Sequence, residues 1–203
     1  MACWVIIPVK SVAGGKSRLA GILSDIERYA LNSSLILHVL KTGIAVVGAS
    51  HTLAVSADPE ALALAIGQGA NALTEVPAEG LNGALSQACR RAKERGADTI
   101  MVLPCDLPFL IPDDVKALRE AAAGGKSVVL APDRAEAGTN ALVVPATMDH
   151  VFRFGQGSFI AHQNLFLCGG LNCRILRRPS LAFDLDTPDD YALFQESFAP
   201  GKD

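Results

Sequence analysis

The sequence predicts an α/β protein with a mainly parallel sheet covered by helices on both faces. Short runs rich in β-branched residues, such as residues 3–9 and 99–104 (TIMVLP), lack the polar alternation of a half-exposed strand and read as strands buried on both sides. Between them lie segments with apolar residues at helical spacing, and strands alternating with helices imply crossovers that cover both faces. The length of 203 residues and the 50% hydrophobic content suffice for one core, so a single domain is expected over residues 1–203. With an aromatic share of only 5%, that core is aliphatic.

The first strand, residues 3–9, stops at a loop containing Gly14 and Gly15. Ser24 is a suitable helix N-cap, and Glu27 three residues on completes a capping box. The helix it opens carries Tyr29, Leu35 and Leu40 at helical spacing. A second buried strand is expected at 52–56, a helix from Pro59, and a weaker strand at 70–74. Gly80-Leu81-Asn82 opens a helix with a basic end, Arg90, Arg91, Lys93 and Arg95.

The central strand at 99–104 runs into Cys105-Asp106-Leu107-Pro108. A helix starts near Pro112, with Asp113 and Asp114 in its first turn, where the macrodipole favours negative charge. Strands are expected at 127–131 and 141–144, and the polar residues 132–140 between them read as a loop. After Gly155-Gln156-Gly157-Ser158 come a helix, a strand at 173–176, the stretch FDLDTP (residues 183–188), and a terminal helix opened by Pro188.

Composition narrows the function. Formal net charge is −3, from 18 Lys and Arg against 21 Asp and Glu, without a long basic run. A duplex nucleic acid partner is therefore not expected, whereas a small phosphorylated ligand needs only a few local cations. The five cysteines are scattered and lack zinc-ligand spacing, so they read as reduced thiols, mostly buried, in a cytoplasmic protein. The N-terminus lacks a basic signal region, and His38 and Lys41 interrupt the apolar segment near 35–50, so no membrane association is expected.

Ligands of parallel α/β sheets sit beyond the carboxyl ends of the strands. The loop from Lys10 to Arg18 follows the first strand directly. Gly14 and Gly15 let its backbone approach an anion, and Lys16 and Arg18 supply positive charge. The spacing is not that of a Walker A loop, and a plain surface loop with incidental cations is the alternative. Asp106 follows the central strand. In FDLDTP an extended backbone would put Asp184 and Asp186 on one side and Phe183 and Leu185 on the other. Three carboxylates at strand ends suit Mg²⁺, which takes oxygen ligands and bridges to phosphates. The plainer reading makes Asp186 a helix cap, which leaves Asp184 unexplained. Gly138-Thr139-Asn140 and Gly155-x-Gly157-Ser158 could hold a phosphate or carboxylate with hydroxyls and backbone N–H groups. His162 reads as a surface or packing residue, and nothing marks a histidine partner for a Cys105 nucleophile.

Together, P-V-K-S-x-x-x-G-K-S-R-L, G-L-N-x-A-L, L-P-x-D-L-P, A-P-D-R…G-T-N-A-L, F-G-x-G-S-F-x-x-H and D-x-D-T-P-x-D resemble the phospholactate/phosphoenolpyruvate guanylyltransferases of coenzyme F-420 biosynthesis. The resemblance spans essentially the whole chain. It implies a Rossmann-like GT-A nucleotidyltransferase fold with a mainly parallel, mixed sheet. It also implies GTP as donor and a small phosphorylated carboxylic acid as acceptor, with pyrophosphate released. By position, Asp106, Asp184 and Asp186 would hold Mg²⁺, and Thr139, Gly155 and Ser158 would bind the acceptor. Lys16, Arg18 and Asp106 would be catalytic, with Lys10, Gly14, Gly15 and Lys16 at the nucleotide phosphates. Gly80, Leu81 and Asn82 would line the guanosine pocket. Bacterial members favour phosphoenolpyruvate, which ranks it ahead of 3-phosphoglycerate and 2-phospho-L-lactate. A downstream deazaflavin-transferring enzyme is the implied partner, and a homodimer is left open. Cys105 departs from the small residue expected there, and the acidic Ala135–Gly138 loop could shift acceptor preference. Two other readings are a molybdopterin or sugar-phosphate nucleotidyltransferase and a non-catalytic nucleotide-binding subunit. The first loop lacks the L-A-G-G-x-S-x-R-M-G form of the former, and the intact charged residues argue against the latter.

Overall fold

The structure, a computed structural model, describes residues 2–76, 79–122 and 127–197, so the two ends of the expected 1–203 span lie outside it. Seven strands form one sheet: β1 (Cys3–Pro8), β2 (Thr52–Ser56), β3 (Asn71–Thr74), β4 (Thr99–Val102), β5 (Ser127–Pro132), β6 (Thr139–Pro145) and β7 (Asn172–Ile175). Their order is β3-β2-β1-β4-β6-β5-β7. All neighbours pair in parallel except β6, which is antiparallel to both β4 and β5. The sheet is mainly parallel and mixed, as the sequence predicts.

The helices are α1 (Asp25–Val47), α2 (Pro59–Gly67), α3 (Gly80–Glu94), α4 (Pro112–Ala121), α5 (Ser158–Cys168), α6 (Pro179–Ala182) and α7 (Pro188–Glu196). Alternation along the strands feeds two apolar layers. Val5, Ile7, Met101 and Val129 join Ile36, Val39 and Leu40 of α1 and Val115 and Leu118 of α4 on one face. Trp4, Ile6, Ile100 and Leu130 join Leu85 and Ala88 of α3 and Phe159 and Phe166 of α5 on the other. Each fully buried aliphatic side chain contributes about 1.5–3 kcal/mol, so burial on both faces is what fixes the sheet between its helices.

The capping box expected at the start of α1 is present: Ser24 Oγ accepts from Glu27 N–H, and Glu27 reaches back to Ser24 N–H at 2.8 Å. By length and composition alone α1 is apolar enough to cross a membrane, despite His38 and Lys41. Its Leu35, Ile36, Val39 and Leu40 are buried in the core, which accounts for that hydrophobicity. Thr139 and Asn140, expected in a loop, begin β6. FDLDTP is extended between α6 and α7 but joins no strand ladder. Of the five cysteines only Cys89 is buried, and Cys168 is exposed.

Reversal of β6 has a functional consequence. The carboxyl ends of β1, β2, β3 and β4 share one edge of the sheet, and an antiparallel β6 brings its own first residues, Thr139 and Asn140, to that same edge.

Candidate active site

The loop after β1 is fastened from two helices. Val12 N–H donates to Asp58 Oδ2 at 2.8 Å, and Asp58 also caps α2. Asn32, buried in α1, donates its amide to Ser11 O at 2.7 Å and Val12 O at 2.8 Å. Gly15 passes so close that a Cβ there would lie 2.1 Å from Asn32 Nδ2. Beyond it Lys16 adopts a left-handed conformation, φ 55°. A side chain in this region costs about 1–2 kcal/mol and persists only where the surroundings impose it. Its side chain ends between two carboxylates: Lys16 Nζ lies 3.4 Å from Asp106 Oδ2 and 3.0 Å from Asp186 Oδ1. Burial works against the Lys16 charge, but Asp106 and Asp186 outweigh it and raise the lysine above its ordinary pKa.

The FDLDTP segment docks on the turn after β4, where Leu185 N–H donates to Asp106 O at 3.0 Å. Phe183 and Leu185 bury against Leu19, and the two aspartates face the other way, so alternation holds without a ladder. Their partners differ. Asp186 faces Lys16 and, at 3.9 Å, Arg18. Asp184 instead meets Asn140 Nδ2 at 3.5 Å, whose amide chiefly serves Leu181 O at 3.0 Å and Ala182 O at 3.2 Å. Burial raises the Asp184 pKa, and the neighbouring Asp106 charge raises it further. Among the described residues no three His, Cys, Asp or Glu side chains group as a metal-binding set. Lys16 bridges Asp106 and Asp186. Asp190 steadies this segment by accepting from Asp186 N–H at 3.1 Å and Thr187 N–H at 2.8 Å while pairing with Arg134.

His162 is the packing residue of the two expectations: it is fully buried between Phe154 and Phe166, and its ring contacts both Thr139 Oγ1 and the Ser158 backbone. Arg153 N–H donates to His162 Nε2 at 2.9 Å, so the ring proton resides on Nδ1, which faces Thr139 Oγ1 at 3.0 Å and also the Ser158 carbonyl. The Thr139 hydroxyl keeps its own proton for another acceptor. Burial lowers the His162 pKa to about 4, so the ring is neutral near pH 7. Gly155 and Gly157 hold φ of 134° and 70°, values that favour glycine, and turn the chain into α5. The backbone N–H groups expected to receive an anion here are partly engaged: Ser158 donates to Gly155 O at 3.1 Å and Phe159 to Ala137 O at 3.2 Å. The acidic loop before β6 is neutralised, because Glu136 pairs with Arg177 at 2.6 Å.

A cleft of about 640 Å³ opens at this edge of the sheet. Its lining includes the loop carrying Lys10, Gly14, Gly15, Lys16 and Arg18, together with Asp106 and Asp186. Gly80 and Leu81 at the start of α3 line it too, with Phe154 and Glu75. Asn82 serves otherwise: it donates to Phe154 O at 3.1 Å and accepts from Phe154 N–H at 2.8 Å, pinning that loop. Asp184, Thr139, Gly155 and Ser158 lie outside the cleft lining. Cys105 lines it, but burial pushes its thiol up to about 12, so it is not a thiolate nucleophile near pH 7. Sequence reasoning missed Asn32, Asp58 and Asp190. Asn32 was detectable, being polar on the α1 face that carries Leu35, Ile36 and Val39.

A glycine-containing loop with a buried cation and facing carboxylates at the carboxyl edge of such a sheet suits nucleotidyl transfer, and the relatives of the chain make it a nucleotidyltransferase. In fold the chain is similar to a putative nucleotide-diphospho-sugar transferase from Desulfovibrio desulfuricans, with TM-score 0.77 and 14% identity over 99% of this chain and 89% of that one. It is similar also to a nucleotidyl transferase from Methanothermobacter, with TM-score 0.68 and 18% identity over 95% and 97% of the two chains. Residues 3–197 match the family described as guanylyl transferase CofC like, and the chain belongs to that family. It is 40% identical over 200 residues to the phosphoenolpyruvate guanylyltransferase of Rubrobacter xylanophilus, covering 97% of this chain and 95% of that one. To the 3-phospho-D-glycerate guanylyltransferase of Phenylobacterium zucineum it is 36% identical, covering 91% and 86%.

Proposed function

We propose that this enzyme joins the GMP moiety of GTP to phosphoenolpyruvate and releases pyrophosphate, as a step of coenzyme F-420 biosynthesis. The observation that carries the reading is Lys16, held in a left-handed conformation between Asp106 after β4 and Asp186 before α7. The acceptor phosphate oxygen attacks the α-phosphorus in line, and the bond to the β-phosphate breaks without a covalent enzyme intermediate. Lys16 and Arg18 face the donor phosphates and offset charge developing on the leaving pyrophosphate. The Lys10–Arg18 loop fixes the donor, since Asn32 and Asp58 leave it little freedom. Thr139, Gly155 and Ser158 receive the acceptor, and His162 holds the Thr139 oxygen so that its proton points elsewhere.

Mg²⁺ belongs to the same proposal. Asp184 is raised in pKa by burial and by the adjacent Asp106 charge, a strain that a cation relieves. Mg²⁺ is commonly held by one or two carboxylates with substrate phosphates completing its shell, so Asp106 and Asp184 suit it, with Asp186 steadied by Lys16. When bound it would neutralise phosphate oxygens of donor and acceptor. The five cysteines, all unpaired, suit a reducing cytoplasm.

The test incubates the enzyme with GTP, Mg²⁺ and each of phosphoenolpyruvate, 3-phosphoglycerate and 2-phospho-L-lactate, measuring pyrophosphate. The labile product is trapped by the downstream deazaflavin-transferring enzyme. Phosphoenolpyruvate is expected to be used fastest. Faster use of 3-phosphoglycerate, the reading favoured by the Phenylobacterium relative, would overturn the acceptor and keep the reaction class. Consumption of GTP with none of the three would overturn the class.

A further inference from the structure

We propose that Glu75 is the residue that selects guanine in the nucleotide cleft. The proposal rests on the reading above that the donor is GTP, and it adds how that base is told from others. Among the described residues three acidic side chains belong to the cleft lining: Asp106, Asp186 and Glu75. The first two are engaged by Lys16 at the phosphate end. Glu75 stands at the end of β3, and two strands, β2 and β1, separate β3 from β4 and its Asp106. Three strand spacings amount to about 14 Å across the sheet edge, which puts Glu75 a nucleotide's reach from the cations. A carboxylate at a triphosphate would repel it, so Glu75 belongs to the base.

Its backbone is held on both sides. Glu75 N–H donates to Ser56 O at 3.0 Å, continuing the β2 register. Gln87 of α3 then clamps its neighbours, donating to Thr74 O at 3.1 Å and accepting from Val76 N–H at 3.2 Å. A loop-end residue held at three points is a rigid base for a recognition side chain, because little entropy remains to be lost on binding. Gly80, beside which a Cβ would meet nothing within 4 Å, and the apolar Leu81 also line the cleft and suit a purine ring.

An ionised carboxylate only accepts hydrogen bonds, through two oxygens. Guanine presents two adjacent donors on its Watson–Crick edge, N1–H and the 2-amino group, and satisfies both oxygens. Adenine turns an acceptor, N1, toward the carboxylate, and uracil offers one donor between two carbonyls. Cytosine pairs its amino donor with the N3 acceptor. A glutamate here therefore favours guanine and rejects the rest.

The experiment measures binding of GTP, ITP and ATP, each with Mg²⁺ and without acceptor, to the wild type, E75Q and E75A. ITP lacks the 2-amino group, so it reports one of the two bonds. Hydrogen bonds to charged groups change affinity by about 10- to 150-fold. The wild type should bind GTP at least about tenfold tighter than ITP, and E75A should bring that ratio near one while weakening GTP. General damage would weaken GTP and ITP alike and keep the ratio, and that outcome overturns the proposal, as does a wild type that does not distinguish the two. E75Q, nearly the same shape, repeats the test should E75A fold poorly. A wild type that binds GTP selectively yet transfers GMP to none of the three acids would overturn the proposed reaction and leave the guanine assignment standing.

Discussion

Gly15→Ala tests how the phosphate loop is held. The added methyl would sit 2.1 Å from Asn32 Nδ2 and 2.6 Å from its Cγ, so the Asn32 side chain must leave its place. Asn32 is wedged in α1 and makes two hydrogen bonds, to Ser11 O and Val12 O, both lost on its departure. At roughly 0.5–1.5 kcal/mol each, the loss is about 1–3 kcal/mol. For a chain of this size each kcal/mol lowers Tm by about 2–4 °C, so a fall of about 4–8 °C is expected near the middle of that range. GTP should also protect the variant less, because Lys16 and Arg18 ride on the displaced loop. Thermal unfolding with and without GTP and Mg²⁺ measures both. Gly21→Ala is the control, since nothing lies within 4 Å of a Cβ there. Asn32→Ala supplies a double-mutant cycle: once the asparagine is gone the alanine at position 15 has room, so the two losses should fall short of adding by about 1–2 kcal/mol. Strict additivity, or a Gly15→Ala variant as stable as Gly21→Ala, would refute the packing argument.

Two further outcomes are expected. Asp184→Asn and Asp106→Asn should each lower pyrophosphate release by about a hundredfold or more, since metal stabilisation of a transferring phosphoryl group is worth several kcal/mol. Asp184→Asn should meanwhile keep or raise Tm, because it removes a buried charge held against Asp106; near-normal turnover in both would refute the metal assignment. His162 titrates near 6.5 when unfolded but at about 4 in the fold, so below pH 6.5 protons favour the unfolded chain. Stability intact above that pH should fall by roughly 3 kcal/mol by pH 4, and His162→Asn should flatten this acid limb in pH-dependent unfolding.

Strand and helix positions were legible in the sequence because their causes are local. Burial on both sides writes an uninterrupted apolar run, as at β4, and Ser24 with Glu27 satisfies end groups within a single helical turn. The carboxyl-edge rule likewise singled out Lys16 and Asp106, each a few residues past a strand. What local pattern cannot encode is strand order and direction. Reversal of β6 decided that Thr139 reaches the ligand edge, and this reversal follows from pairing with β4 and β5, not from its own residues. Long-range closure made Lys16 the partner of Asp186, 170 residues away, and divided the two FDLDTP aspartates between Lys16 and Asn140. It also joined the Asn82 side chain to the Phe154 backbone, 72 residues away. A buried amide or ammonium bonds to whatever the packed chain brings within about 3 Å, and only the tertiary structure determines what that is.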